Sequence, residues 1–250
     1  MSLLVTESLG KSFGGVEALR KVSIEVERGR IVALIGPNGS GKSTLINVIS
    51  GVYPPDRGRV LFEGRDITGM PPHRIAEMGV VRTFQVPRVF RGMSVVENLM
   101  VAAPGREVET VTGSLLKRRQ VRGHEAECLR RAEEVMEFLE IHHMRNEYAG
   151  SLSGGQQKLL ALARALMTKP KLLMLDEPVA GVAPALARRI FEKILELRSR
   201  LGFLIIEHNM DVLLDFADYV YVMHRGEIVA RGAPEEVLSS RQVLEVYFGE

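Results

Sequence analysis

The tightest constraint on this chain's fold is the junction at residues 31–49. A continuous apolar run, 31–35, feeds directly into Gly36-Pro37-Asn38-Gly39-Ser40-Gly41-Lys42-Ser43-Thr44, and Leu45-Ile46-Asn47-Val48-Ile49 continues beyond it. An uninterrupted apolar run suits a strand buried on both faces, so the order reads strand, loop, helix. The loop fits G-x-x-x-x-G-K-[ST] at Gly36, Gly41, Lys42 and Ser43. Glycines let the backbone curl until successive N–H groups point at phosphate oxygens. The following helix adds its positive N-terminal end. In such a loop the lysine reaches the β- and γ-phosphates and the hydroxyl ligates Mg²⁺. The plain alternative, a glycine-rich turn before a helix, does not require the strand-loop-helix context found here.

The rest of the chain agrees with an α/β architecture. Val22, Ile24 and Val26 alternate with Ser23 and Glu25, the period-2 pattern of a strand with one wet face. Residues 60–62 and 80–84 are further strand candidates. From about 86 to 150 the helix period takes over. Residues 95–102 read as one helix, and Leu129, Ala132, Met136 and Leu139 line one face of a second. Between them, 105–123 is polar and carries Lys117-Arg118-Arg119, read as a solvated basic face. After Gly150 short apolar strands (171–176, 203–206) alternate again with amphipathic helices, one of them marked by Leu186, Ile190, Ile194, Leu197 and Leu201. Residues 219–223 and 227–230, joined through Arg225-Gly226, read as a hairpin. Two short helices, one starting near Pro234 and one ending near Phe248, close the chain. The expected organisation is a core of 1–85 and 151–250 with a mainly parallel sheet covered on both faces, interrupted by a helical insertion at 86–150.

Three further features carry chemistry. The run 172–175 ends in Asp176 and Glu177, and the C-terminal edge of a parallel strand is where open α/β sheets bind ligands. Asp176 is placed to hold Mg²⁺ through water, and Glu177 to orient or deprotonate an attacking water. Leu152-Ser153-Gly154-Gly155-Gln156 opens a helix with Leu159, Leu162, Ala163 and Leu166 on its apolar face. Ser153 is a candidate N-cap whose helix end offers N–H groups to an anion. His208 follows the apolar run 203–206. One nucleotide pocket has no need of two glycine loops, so the second suggests a nucleotide shared between two copies of the chain.

Composition narrows the partners. The chain has 250 residues and a net charge of +2, so electrostatics favour neither nucleic acid nor acidic lipid. The single cysteine, Cys128, forms no intrachain disulfide and reads as a small packed helix residue. No apolar stretch approaches the ~20 residues of a membrane span, and residues 1–7 carry no signal-peptide pattern.

Together these residues resemble the ATP-binding cassette (ABC) family over nearly the whole chain. The phosphate loop 36–44, the signature 152–156, Asp176-Glu177 and His208 occur in that family's order. Gln85 matches the glutamine joining core and helical subdomain, and Phe13 the aromatic that stacks on adenine. The resemblance implies a P-loop NTPase core with an antiparallel β subdomain and a helical subdomain. It implies ATP contacts from Phe13, Gly36, Asn38, Gly39, Ser40, Gly41, Lys42, Ser43 and Thr44. Across a head-to-tail dimer it adds Ser153, Gly154, Gly155 and Gln156. Mg²⁺ falls to Ser43, Gln85 and Asp176, and catalysis to Glu177, His208 and Gln85.

Within that family the chain is most similar to ATPase subunits of branched-chain amino acid importers. The similarity rests on Phe13-Gly14-Gly15, Val81-Arg82-Thr83-Phe84-Gln85, Glu97-Asn98-Leu99 and the tail Val246-Tyr247-Phe248-Gly249-Glu250. The implied partners are transmembrane permease subunits, a second identical or homologous ATPase chain and, indirectly, a substrate-binding protein, with the chain peripheral on the cytoplasmic side of the membrane. Val86, Phe90 and Met93 would receive the permease's coupling helix. Ala183 stands where the family usually has an interface Asp. A cassette ATPase of a lipid or lipopolysaccharide exporter shares the same catalytic residues. A soluble non-transport cassette typically carries long insertions or a second cassette, and neither is present. A non-hydrolysing module is opposed by Glu177 and His208 together.

Overall fold

A computed structural model describes residues 2–83, 85–104, 118–207, 215–240 and 243. They divide into two compact units. The first draws on Met1–Gln85, Lys171–Ala180 and Ala187–Glu250, and the second on Val86–Pro170 and Gly181–Leu186.

The first unit holds two sheets. One is antiparallel: β1 (Ser2–Phe13) lies between β2 (Val16–Val22) and β5 (Arg57–Phe62), β6 (Arg65–Asp66) follows β5, and β3 (Glu25–Glu27) also pairs with β1. The other has six strands in the order β11 (Glu227–Gly232), β10 (Tyr219–His224), β4 (Ile31–Ile35), β9 (Gly202–Ile206), β8 (Leu172–Asp176), β7 (Val80–Arg82). It is parallel except for β11, which returns from β10 through Arg225 and Gly226, both at positive φ. Such a two-residue turn matches the twist of its strands. Every residue of β4, β8 and β9 is buried, which explains their unbroken apolar sequences. Side chains of both sheets and of α1 (Lys42–Ile49) merge in one core that includes Leu4, Val26, Phe62, Leu34, Ile46, Met174 and Ile206. Burying each aliphatic side chain contributes about 1.5–3 kcal/mol before entropy is counted.

The second unit is helical. After α2 (Pro72–Glu77) of the first unit come α3 (Val95–Ala102), α4 (Arg118–Phe138) and α5 (Gly154–Met167), and these last three pack on one another. Ser94 begins α3 with a capping box to Glu97, which satisfies two backbone N–H groups that the helix cannot pair itself. A 3-10 turn (His142–Met144) follows α4, and two elements of the first unit, α6 (Pro184–Leu197) apart from its first turn and α7 (Pro234–Leu238), complete the named helices among the described residues.

Several expected boundaries shift. The alternation at 22–26 is visible in burial, but the chain leaves β2 at Val22 and re-pairs only at Glu25. There Thr6 interrupts the ladder, its Oγ1 accepting from Ile24 N. The strand expected over 80–84 stops at Arg82. Within α6 the buried face is Ala187, Ile190, Phe191 and Ile194, and Leu201 is buried beyond the helix. Helix α4 already runs through 118–123, part of the stretch read as polar, and Cys128 is buried on it. Residues 105–117, Phe84, His208, the last helix and the tail 246–250 lie outside the described residues.

Candidate active site

Loop 36–41 turns where it does because glycine is required. Gly36, Gly39 and Gly41 all have positive φ, a region that side chains avoid. A Cβ on Gly36 would collide with the Met223 carbonyl of β10, and one on Gly41 would lie 2.5 Å from the Ala18 carbonyl of β2 and 2.8 Å from Met223 Cε. The β10–β11 turn closes the loop from behind, where Gly226 N donates to Ser40 O at 2.9 Å and Arg20 N donates to Gly226 O at 2.7 Å. The loop therefore sits against backbone on one side, while Asn38, Gly39 and Ser43 face solvent. Ser40 is buried, and Thr44 is half-buried in the first turn of α1.

Lys42 is buried, and its ammonium donates to Gly36 O at 2.7 Å and Pro37 O at 2.9 Å, with Ser40 Oγ at 3.5 Å. Burial lowers its pKa, while the Glu177 and Asp176 carboxylates act in the opposite direction. Two acids and the loop lysine thus share one electrostatic neighbourhood.

Those acids occupy the C-terminal end of β8. Asp176 is buried, and its Oδ2 lies 3.8 Å from Arg82 Nη2. Glu177 is half-buried and has φ +50°, a conformation that non-glycine residues adopt at a cost and that clusters at functional sites. Its N–H donates to Ile206 O at 2.9 Å, holding the turn against β9. The Gln85 amide donates to Glu177 Oε2 at 2.8 Å. Glu207, buried at the end of β9, accepts from Val179 N at 3.0 Å and holds the chain just after the acids.

The structure thus brings Lys42, Asp176, Glu177 and Gln85 together at the loop. Phe13 ends β1, 42% exposed, meeting Tyr53 edge-to-face at 5.2 Å with Lys11 Nζ 5.5 Å from its ring centroid. Ser153, Gly154, Gly155 and Gln156 belong to the second unit. There Ser153 Oγ accepts from Gln156 N while Gln156 Oε1 accepts from Ser153 N, a complete capping box on α5. A Cβ on Gly155 would meet Leu186 Cδ2 at 2.6 Å, so α5 starts in close contact with the first turn of α6.

The sequence assigns no role at the site to Arg82, Glu207, Met223 or Gly226, although Arg82 lies in the segment 81–85 and Gly226 in the hairpin turn. For Arg82 and Glu207 the available signal is a charge directly beside a buried strand's apolar run. For Met223 and Gly226 no local signal points to the glycine loop, because that role comes from packing across the fold.

Donor chemistry is suited to a nucleotide with a hard cation. The available groups are a hydroxyl, a carboxylate and an amide, all oxygen donors, which matches Mg²⁺ carried on phosphates. Among the described residues no cluster of His, Cys, Asp and Glu could hold a metal alone.

Residues 19–180 match the profile of the family described as ABC transporter. A probable branched-chain amino acid transport ATP-binding protein, LivG, from Archaeoglobus fulgidus is 46% identical, over 100% of this chain and 96% of that one. The high-affinity branched-chain amino acid transport ATP-binding protein LivG of Escherichia coli is 39% identical, over 99% and 98% of the two chains. Among solved structures, an ATP-binding cassette of an ABC transporter in its ADP conformation superposes with a TM-score of 0.87 at 46% identity, covering 100% of both chains.

The packing behind the loop makes a direct prediction. Gly41→Ala places a methyl against the Ala18 carbonyl at a strained φ. Isothermal calorimetry should show ATP affinity reduced by roughly tenfold or more, the loop having moved, at a stability cost of about 1–3 kcal/mol. Unchanged affinity would mean that this packing does not shape the loop.

Proposed function

This chain belongs to the ABC transporter family as one of its ATP-binding, ATP-hydrolysing subunits, and from that premise we propose that it drives import of branched-chain or related amino acids. The observation that carries the reading is the convergence of Lys42, Asp176, Glu177 and Gln85 at a glycine loop with no room behind it. The substrate class is supported by full-length similarity to proteins described as branched-chain amino acid transport ATP-binding proteins.

In the proposed site the loop N–H groups and the Lys42 ammonium hold the phosphates. Ser43, Gln85 and Asp176 would hold Mg²⁺, which would neutralise phosphate charge when bound. The Gln85 amide already donates to the Glu177 carboxylate at 2.8 Å and ties it to the same group of residues. Glu177 accepts the proton of the attacking water, and its neighbour Gln85 limits the orientations of the carboxylate. His208 completes the set as the family's switch histidine. Phe13 takes the adenine face.

The second glycine loop acts on another copy. Ser153, Gly154, Gly155 and Gln156 close over the phosphates held by the partner's loop, with the α5 N-terminus offering its positive end. Hydrolysis cleaves the γ-phosphate, and its release as inorganic phosphate takes away the charge that binds the two copies, so chemistry becomes opening and closing. Ala183 removes a carboxylate from the segment that would cross this interface.

Among the described residues no helix is long and apolar enough to cross a membrane. Coupling to a permease therefore uses a surface. Val86, Phe90 and Met93 are 75%, 46% and 36% exposed. The Phe90 backbone is pinned by Asn98, which accepts from Phe90 N at 2.9 Å and donates to Phe90 O at 3.0 Å. The Arg164 guanidinium lies 4.8 Å from the Phe90 ring centroid. An anchored aromatic beside a cation is suited to receiving a short helix of the permease at the cytoplasmic membrane face.

Glu177→Gln tests the reaction. ATP affinity should stay within a few-fold while turnover falls by roughly 10²–10⁴, and an ATP-bound dimer should persist in gel filtration. Ordinary turnover would remove Glu177 from the mechanism. Phe90→Asp tests the partner. The new carboxylate faces Arg164, so the chain should fold and keep its basal ATPase, yet lose co-purification with the permease and substrate-stimulated hydrolysis. Retained stimulation would place the coupling surface elsewhere.

A further inference from the structure

Arg82 is a charged side chain on an edge strand of a buried sheet, with only 13% of the side chain exposed. Burying a guanidinium is costly and rarely favours stability by itself, so its contacts need a reason. Strand β7 pairs with β8 in the register Arg82↔Met174. Side chains two apart on a strand share a face, so Arg82 lies on the face of Asp176, one step along the neighbouring strand.

The guanidinium reaches two ways. Nη1 donates to Asn47 Oδ1 at 2.5 Å and to Ser50 Oγ at 3.4 Å. Both belong to the C-terminal half of α1 and its cap, the helix that begins at Lys42. The Ser50 hydroxyl donates its own proton to Ile46 O at 2.8 Å, leaving its oxygen free to accept. On the other side Nη2 stands 3.8 Å from Asp176 Oδ2. Across that gap the guanidinium attracts the carboxylate and biases its orientation.

We propose that Arg82 is a positioning residue for the metal-facing acid: it locks the Asp176 carboxylate to the helix that carries the phosphate loop, so that loop and acid present their oxygens to one cation in a fixed relation. This rests on Asp176 being the metal-facing acid. A lysine could not substitute, because an ammonium is a point charge, whereas the planar fork serves two directions at once. Partners one step behind metal ligands orient them, and their loss typically weakens metal binding by about 10–100-fold.

The test uses the full chain with ADP bound and follows Mn²⁺ binding by the electron paramagnetic resonance of free Mn²⁺. ADP affinity is measured separately in EDTA. Arg82→Lys should weaken Mn²⁺ binding by about tenfold and leave ADP affinity in EDTA within about twofold. Asn47→Ala leaves Arg82 in place, removes its anchor and favours the helix, so it should shift Mn²⁺ affinity in the same direction by less. The double variant should fall short of the sum, because both act through one contact. If Arg82→Lys fails to fold, Asn47→Ala decides alone. Mn²⁺ affinity within about twofold of the parent in these variants overturns the proposal, as does an equal loss of ADP affinity in EDTA. Asp176→Asn separates the premise. Loss there without loss in the Arg82 and Asn47 variants overturns the role of Arg82 alone. Unchanged Mn²⁺ affinity in Asp176→Asn removes both.

Discussion

The site depends on the backbone approach behind the glycine loop. Gly36 lies against the Met223 carbonyl and Gly41 against the Ala18 carbonyl so closely that neither tolerates a Cβ. With its rear wall made of β2 and β10 backbone, the loop has one free side. Gly226 N bonded to Ser40 O fixes it there. The parallel sheet then sets the rest. Strands β4 and β8 both flank β9, so the loop after β4 and the acids after β8 emerge at the same edge, as expected for strands running in one direction.

Charge at this edge is arranged to stay unsettled. Lys42 is buried and its ammonium is partnered by carbonyls, which are weaker partners than carboxylates or phosphates. Burial pushes its pKa down, and the two nearby acids act against that shift. Glu177 is held at φ +50° by its backbone bond to Ile206 and by the Gln85 amide. A triphosphate with a divalent cation suits such an edge, since it supplies both the anion for the lysine and the cation for the acids.

Much of this is legible in the sequence. Residues 31–35 and 95–102 are a strand and a helix with the expected ends, because burial on both faces and a Ser94–Glu97 capping box are local patterns. The hairpin through Arg225-Gly226 is equally local. What is not legible comes from register and packing. Nothing near Arg82 in sequence announces Asp176; the two meet because β7 pairs with β8 in one register. Nothing near Gly226 announces Ser40. Strand β7 ends at Arg82, short of the apolar pattern, where the ladder gives way to a lone Thr83 N to Met174 O bond. Ser153 shows the opposite case, in which a motif residue also has an ordinary structural role as the cap of α5.

In the proposed function each nucleotide is held by the phosphate loop of one copy and the signature loop of another, and mixing two damaged chains tests this directly. A chain carrying Lys42→Ala lacks a working phosphate loop, and one carrying Ser153→Arg lacks a working signature loop. Each alone should show no ATPase activity. A mixed dimer joins the intact phosphate loop of one chain to the intact signature of the other, so mixing should restore part of the parent activity. Activity that stays at the level of the separate chains, with mixed dimers demonstrated by native mass spectrometry, would contradict the shared site.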